Sequence, residues 1–273
     1  MEKRKIVSIV ILLIICFFML SSNIFSSDIK KNCIKGVPFE DLKTETILYD
    51  DFNEISSQWD VFDGFCIPDS CNTDLFEING ESYLCLTAKA SIGFFYLKDK
   101  TFSINENMSY EVKARMPFNQ FDISKKNNPQ TFESIALFGK SQGVPDGFYY
   151  IHFHANPYNI KCRRDSGYKQ TPGHPLAYAD FNNMCGDIHG DFARELNDEY
   201  HIYNLKIINK NAYFYLDGEY LGEMKYSGYV RNGKEITLPN CPLFFGFLAC
   251  SANETVSKML VDYIKIEKIL LPD

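Results

Sequence analysis

The run SYEVKARM, from Ser109 to Met116, alternates strictly. Tyr110, Val112, Ala114 and Met116 fall to one side, and Ser109, Glu111, Lys113 and Arg115 to the other. Only an extended backbone sends successive side chains to opposite faces, so this is a strand with one buried and one wet face. The pattern returns in SYLCLTA, SIALFG, FYYIHFH, HIYNLKII, AYFYL, LFFGFLA and KMLVDYIKIE, while helical periodicity is almost absent. Asn79-Gly80 and Asp217-Gly218 lie between apolar runs and supply the positive φ that tight hairpins need. Many short strands joined by turns predict an all-β protein, a sandwich or a barrel.

A chain of 273 residues with 45% hydrophobic content can bury a full core. Its start, MEKRK followed by an apolar run from Ile6 to Leu20 and then Ser- and Asn-rich residues, has the layout of an export segment. The run is shorter than the roughly 20 residues of a membrane span. Residues 1–27 are therefore expected to be a signal peptide or an uncleaved anchor, and the protein secreted or held at the cell surface. Residues 28–45 follow as a linker, 46–268 as the sandwich, and 269–273 as a tail. A long insertion over 164–199, rich in Gly, Pro, Asn and Asp, interrupts the strand rhythm and carries His174, Cys185 and His189.

Outside the leader stand Cys33, Cys66, Cys71, Cys85, Cys162, Cys185, Cys241 and Cys250, an even set that in an exported chain favours disulfides. No C-x-x-C pair supports structural zinc. The formal charge of −7 argues against nucleic acid, whose phosphates call for clustered Lys and Arg. It also makes a polyanionic glycan an awkward partner unless a local patch such as Arg163-Arg164 overrides the average. A membrane is expected only through an uncleaved N-terminal segment.

Five phrases in order, LYDDFNEISSQWDVFDG, INGESYLCLTA, GFFYLKDKTFSINENMSYEVKARMP, YHIYNLKIINKNAYFYLDGEYLGEM and VDYIKIEK, together resemble the family-16 glycoside hydrolases and the wider concanavalin A-like lectins and glucanases. The resemblance implies a jelly roll of two antiparallel sheets whose concave face holds a polysaccharide or cell-surface glycan. In that family the active strand carries E-x-D-x-E, three acids on one side. A retaining mechanism needs two carboxyls about 5 to 5.5 Å apart. Laid on that strand, GFYYIHF puts Phe148 at the nucleophile position, Tyr150 at the central acid and His152 at the acid/base. A phenyl ring cannot attack a sugar, so the hydrolytic mechanism is not expected. Glu133, on the preceding strand, and Asp146 flank the strand, and recruiting Glu133 is the alternative by which hydrolysis could survive.

The strand's own chemistry leaves several readings open. Tyr150, His152 and His154 share a face, with Tyr149, Ile151 and Phe153 on the other. The first set could bind glycan by ring stacking and hydrogen bonds, aided by Arg163, Arg164 and Tyr158, with Tyr96 as a further platform residue. It could instead serve a diverged carbohydrate-active enzyme. Tyr150, His152 and His154 would then act as acid and base of a polysaccharide lyase, with Arg163 or Arg164 holding a uronate. Alternatively His152 and His154 could ligate zinc with His174 or His189. An adhesion or envelope scaffold is a further class. Asp262, in KMLVDYIKIE, shares strand parity with Leu260, Ile264 and Ile266, where an unpaired carboxylate is costly. The resemblance implies a structural calcium there, with backbone oxygens from the regions of Asp50-Asp51 and Gly64 as further ligands; a lysine or backbone N–H groups are the alternative. Trp59 is expected to pack under a sheet.

Overall fold

The computed structural model describes residues 33–61, 71–89, 92–116, 131–140, 148–156, 159–165, 199–225, 229–231, 234–236, 242–251 and 256–272, some of them by backbone alone. The expected leader and most of the long insertion lie outside this set. The chain divides into two compact units, Thr46–Lys268 and a smaller one made of Met1–Glu45 with Ile269–Asp273. In the smaller unit β1 (Cys33–Ile34) and β2 (Val37–Pro38) form a hairpin, followed by a 3-10 turn, Phe39–Asp41. Lys35 and Gly36 turn that hairpin at φ 47° and 79°. The Lys35 ammonium donates to the Pro272 carbonyl at 3.2 Å.

The larger unit is a two-sheet sandwich. Its strands, in chain order, begin with β3 (Lys43–Asp50), β4 (Trp59–Val61), β5 (Cys71–Ile78), β6 (Glu81–Lys89), β7 (Ile92–Leu97) and β8 (Met108–Arg115). They continue with β9 (Thr131–Lys140), β10 (Phe148–Asn156), β11 (Asn159–Asp165), β12 (His201–Ile208), β13 (Asn211–Leu216) and β14 (Glu219–Lys225). The short pair β15 (Tyr229–Arg231) and β16 (Lys234–Ile236) precedes β17 (Phe244–Ser251) and β18 (Val256–Leu270). One sheet runs β14-β13-β12-β8-β18-β6-β5 with β3 also on β18, and the other runs β11-β10-β9-β17-β7-β4. Every pairing whose register is defined is antiparallel. This is the jelly-roll sandwich that the alternation and the quoted phrases imply.

The sheets meet through the residues that alternation assigned inward. Tyr110, Val112, Ala114 and Met116 are all buried, and Tyr110 stacks on Phe245 of the opposite sheet with centroids 5.3 Å apart. Phe153 of β10 meets Tyr203 and Phe214 edge-on at 5.4 and 5.1 Å. Such pairs add about 0.5–1.5 kcal/mol each beyond the area they bury. Trp59 packs as expected: it is buried, stacks on Phe95 at 5.0 Å and on Phe247 at 5.5 Å, and donates its indole N–H to Asp50 Oδ2 at 2.8 Å.

Both glycine hairpins turn as their dipeptides predict, with φ 56° and 85° at Asn79-Gly80 and 51° and 79° at Asp217-Gly218. A third turn was not legible because it has no glycine: Asn209 and Lys210 hold φ 48° and 65° between β12 and β13. Its left-handed backbone is supported instead by Asn107, whose Oδ1 accepts the Asn209 N–H at 2.9 Å. A Cβ at Lys210 carries the steric cost of that region, so Lys210→Gly is expected to stabilise the fold by up to about 1 kcal/mol, read as a rise in the denaturant midpoint.

Candidate functional site

The strand that should carry the chemistry, β10, lies between β9 and β11. Ile151 and Phe153 point into the core, as expected from the alternation. His152 therefore belongs to the other face of the six-stranded sheet. Register aligns it with Ala136, Gly246, Tyr96 and Asp60 in one row across the sheet, and with Arg163 on the other side. Tyr150 stands opposite Phe138, and His154 opposite Ser134. Tyr150, His154, Arg163 and Arg164 are described by backbone only, and Tyr158, Asp146, His174 and His189 lie outside the described residues.

His152 is not an open ligand. It is 3% exposed, and its Nδ1 lies 3.0 Å from the Ser134 hydroxyl, itself buried on β9. A buried imidazole with a hydroxyl partner is a satisfied polar group. Beside it the face turns aromatic. Phe94 and Phe138 approach to 3.9 Å between centroids, and Tyr96 meets Phe138 and Phe244 edge-on at 5.9 and 5.5 Å. Phe94 and Phe138 are buried, whereas Tyr96 and Phe244 remain partly exposed. Gly246 is required here: a Cβ on it would sit 2.4 Å from the Phe95 carbonyl and 2.9 Å from Tyr96 Cβ. On this face Tyr96 and Phe244 reach solvent, and at the far end of the His152 row the Asp60 carboxylate is exposed, 4.0 Å from Lys98 Nζ.

Glu133, the nearest acid on β9, faces the wrong way for sugar chemistry. It shares parity with Ile135 and Leu137, is fully buried between the sheets, and accepts a hydrogen bond from the Ser257 hydroxyl of β18 at 2.6 Å. Burial pushes its carboxyl up to about 8, with Ser257 and the Lys258 backbone N–H opposing the rise. It stands on the opposite side of β9 from His152 and Ser134.

Asp262 also differs from its expected position, for a defined reason. The pairing of β18 with β8 shifts between Val261 and Tyr263, so a bulge absorbs Asp262 and resets the alternation. Met259, Val261, Ile264 and Ile266 face the main core, while Leu260 joins Tyr83 and Cys85 on the reverse face. Asp262 is partly exposed and pairs with Lys113 Nζ at 2.6 Å. The Asp50 carboxylate is engaged as well, accepting the Phe52 N–H on Oδ1 at 2.9 Å and the Trp59 indole N–H on Oδ2. Gly64 lies outside the described residues, and among the described residues no group of three His, Cys, Asp or Glu side chains is placed to hold a metal. Lys113 supplies the neutralising partner of Asp262. Of the cysteines expected to pair, Cys85 is a buried thiol whose pKa is raised by burial, so the even count does not translate into a disulfide at that residue.

Sequence patterning gave no signal for one further pair. His201 Nδ1 lies 2.7 Å from Asp217 Oδ2, and Asp217 Oδ1 accepts the Ile202 N–H at 2.9 Å. The turn that fixes Asp217 in a hairpin thus also aims its carboxylate at His201, the first residue of β12.

No family model and no curated protein matches the chain. Solved structures do. The chain is similar to a family-16 endo-glucanase from Bacteroides ovatus at 14% identity and a TM-score of 0.50, over 81% of this chain and 99% of that one. It is similar to an endo-β-1,3-glucanase from Pyrococcus furiosus at 13% and 0.54, over 88% and 98%. A structure from work on endo-acting O-glycanases of the human gut microbiota that initiate mucin breakdown matches at 16% and 0.51, over 83% and 100%. At these identities the likeness defines the fold, which is the jelly roll of the family-16 glycoside hydrolases.

With Asp262 held by Lys113, adding a chelator to the purified protein is expected to leave its melting temperature unchanged. A chelator-induced drop that calcium restores would assign a cation to this region.

Proposed function

We propose that the chain is an exported glycan-binding protein on a glucanase-like scaffold that has lost hydrolysis. The observation that carries this reading is the make-up of the outer face of the six-stranded sheet. The positions matched to the family's acids are Phe148, Tyr150 and His152, Glu133 on neighbouring β9 is turned into the core, and Asp165 on β11, the register partner of Tyr150, is a single acid there. A retaining reaction needs two carboxyls across one bond. An aromatic pad of Tyr96, Phe138 and Phe244 suits the apolar face of a pyranose ring instead. The burial of His152 against Ser134 supports a packing role for this imidazole more than a role as an exposed acid or base. The net charge of −7 favours a neutral glycan over a polyanion.

The test is a glycan screen with the purified chain, read for retention and for products. Retention without new ends is the expected result. New reducing ends would restore hydrolysis, and unsaturated uronates, seen by their ultraviolet absorbance, would restore the lyase reading built on Tyr150, His152 and His154. Loss of both retention and cleavage across the screen would favour a scaffold that meets protein. If the aromatic pad is the contact, Tyr96→Ala weakens retention by roughly tenfold, the equivalent of one lost stacking contact. His152→Ala is expected to lower the melting temperature more than it lowers retention, because it strips a buried hydroxyl of its partner.

A further inference from the structure

The interior of the sandwich holds a carboxyl that neither catalysis nor binding uses. Glu133 is 0% exposed, its Oε1 takes the Ser257 hydroxyl across the gap between sheets, and among the described residues its Oε2 has no hydrogen-bond partner. An ionised carboxylate in that position would leave one charged oxygen unsolvated, which is far costlier than a buried neutral acid. We propose that Glu133 is a proton-controlled tie between the two sheets, closed while its carboxyl is neutral and strained open when it ionises.

The surroundings are arranged for this. Glu133 faces Ser257 from β18, and Lys258 offers only its backbone N–H, its ammonium lying over the Phe76 ring at 5.8 Å. On the strands flanking β9, its register neighbours are Ala249 and Ala155. From β12 the titratable group within electrostatic reach is Tyr203, fully buried, its hydroxyl also without a partner among the described residues, and its ionisation opposed by burial and by the charges of Asp217 and Glu133. Beyond it stands the His201–Asp217 pair. Among the described residues no lysine or arginine side chain pairs with Glu133 to hold it as an anion. The sign follows from linkage. The folded protein keeps the proton up to about 8, whereas the unfolded chain releases it near 4.5. Stability contributed by the neutral form is complete below the lower value and is lost as pH rises through the upper one.

Thermal melts of the intact chain and of Glu133→Gln, from about pH 5 to about pH 9, test the proposal. The native protein should lose several degrees across that range. Glu133→Gln, which stays neutral, should flatten the decline and melt higher at the alkaline end. Ser257→Ala removes the hydroxyl that favours ionisation and should move the alkaline loss to higher pH. Infrared spectra of the folded protein near neutral pH should contain the C=O stretch of a protonated carboxylic acid that is missing in Glu133→Gln. A native melting curve indifferent to pH, an unchanged decline in Glu133→Gln, or absence of the acid band from the native spectrum would each overturn it. Should Glu133→Gln fail to fold, the direction of the Ser257→Ala shift and the native infrared band decide the matter.

Discussion

Everything else in this protein rests on the layer of large side chains clasped between its two sheets. Tyr110 lies flat on Phe245, Phe153 is met edge-on by Tyr203 and Phe214, and Trp59 is stacked between Phe95 and Phe247. The Tyr110 and Phe153 contacts couple one sheet to the other, which neither sheet's hydrogen bonds can do. They also fix which face of each strand is spent on cohesion and which is left for other work. Interiors packed at this density tolerate little displacement, so a polar group inside them must be satisfied or neutral.

That constraint explains why two acids, one on each sheet, behave so differently. Glu133, one residue from Ser134 along β9, is drawn into the dry layer because strand parity offers it no other direction. Asp262 escapes that fate through a bulge, which turns it toward Lys113 and water. The same polymer rule, two faces per strand, thus buries one carboxylate and needs an irregularity to release another.

Most of the architecture could be read from the chain, and the reasons are local. Strict alternation in SYEVKARM marked Tyr110, Val112, Ala114 and Met116 as core, and all four are buried. Asn-Gly and Asp-Gly announced their hairpins because positive φ has a visible residue signature. What could not be read depends on more than one strand. The bulge at Asp262 is a mismatch between β18 and β8, so the parity count placed the residue wrongly although every letter was known. His152 was legible as lying off the core face but not as buried, since strand parity assigns a face and not a depth. The His201–Asp217 contact joins the start of β12 to a turn after β13, a closeness that no spacing rule encodes.

The longest strand has a bearing on how the molecule assembles. β18, Val256–Leu270, takes β6, β8 and β3 as partners, and it lies later in the chain than all of them. The middle of the larger sheet is therefore vacant until its final piece arrives, and β6 and β8 have no neighbour between them before that. Long-range closure of this kind makes for a slow folder. During the wait two apolar strand edges stand open to any other chain with a strand to offer, which makes self-association in the nascent state the hazard this topology has to outrun.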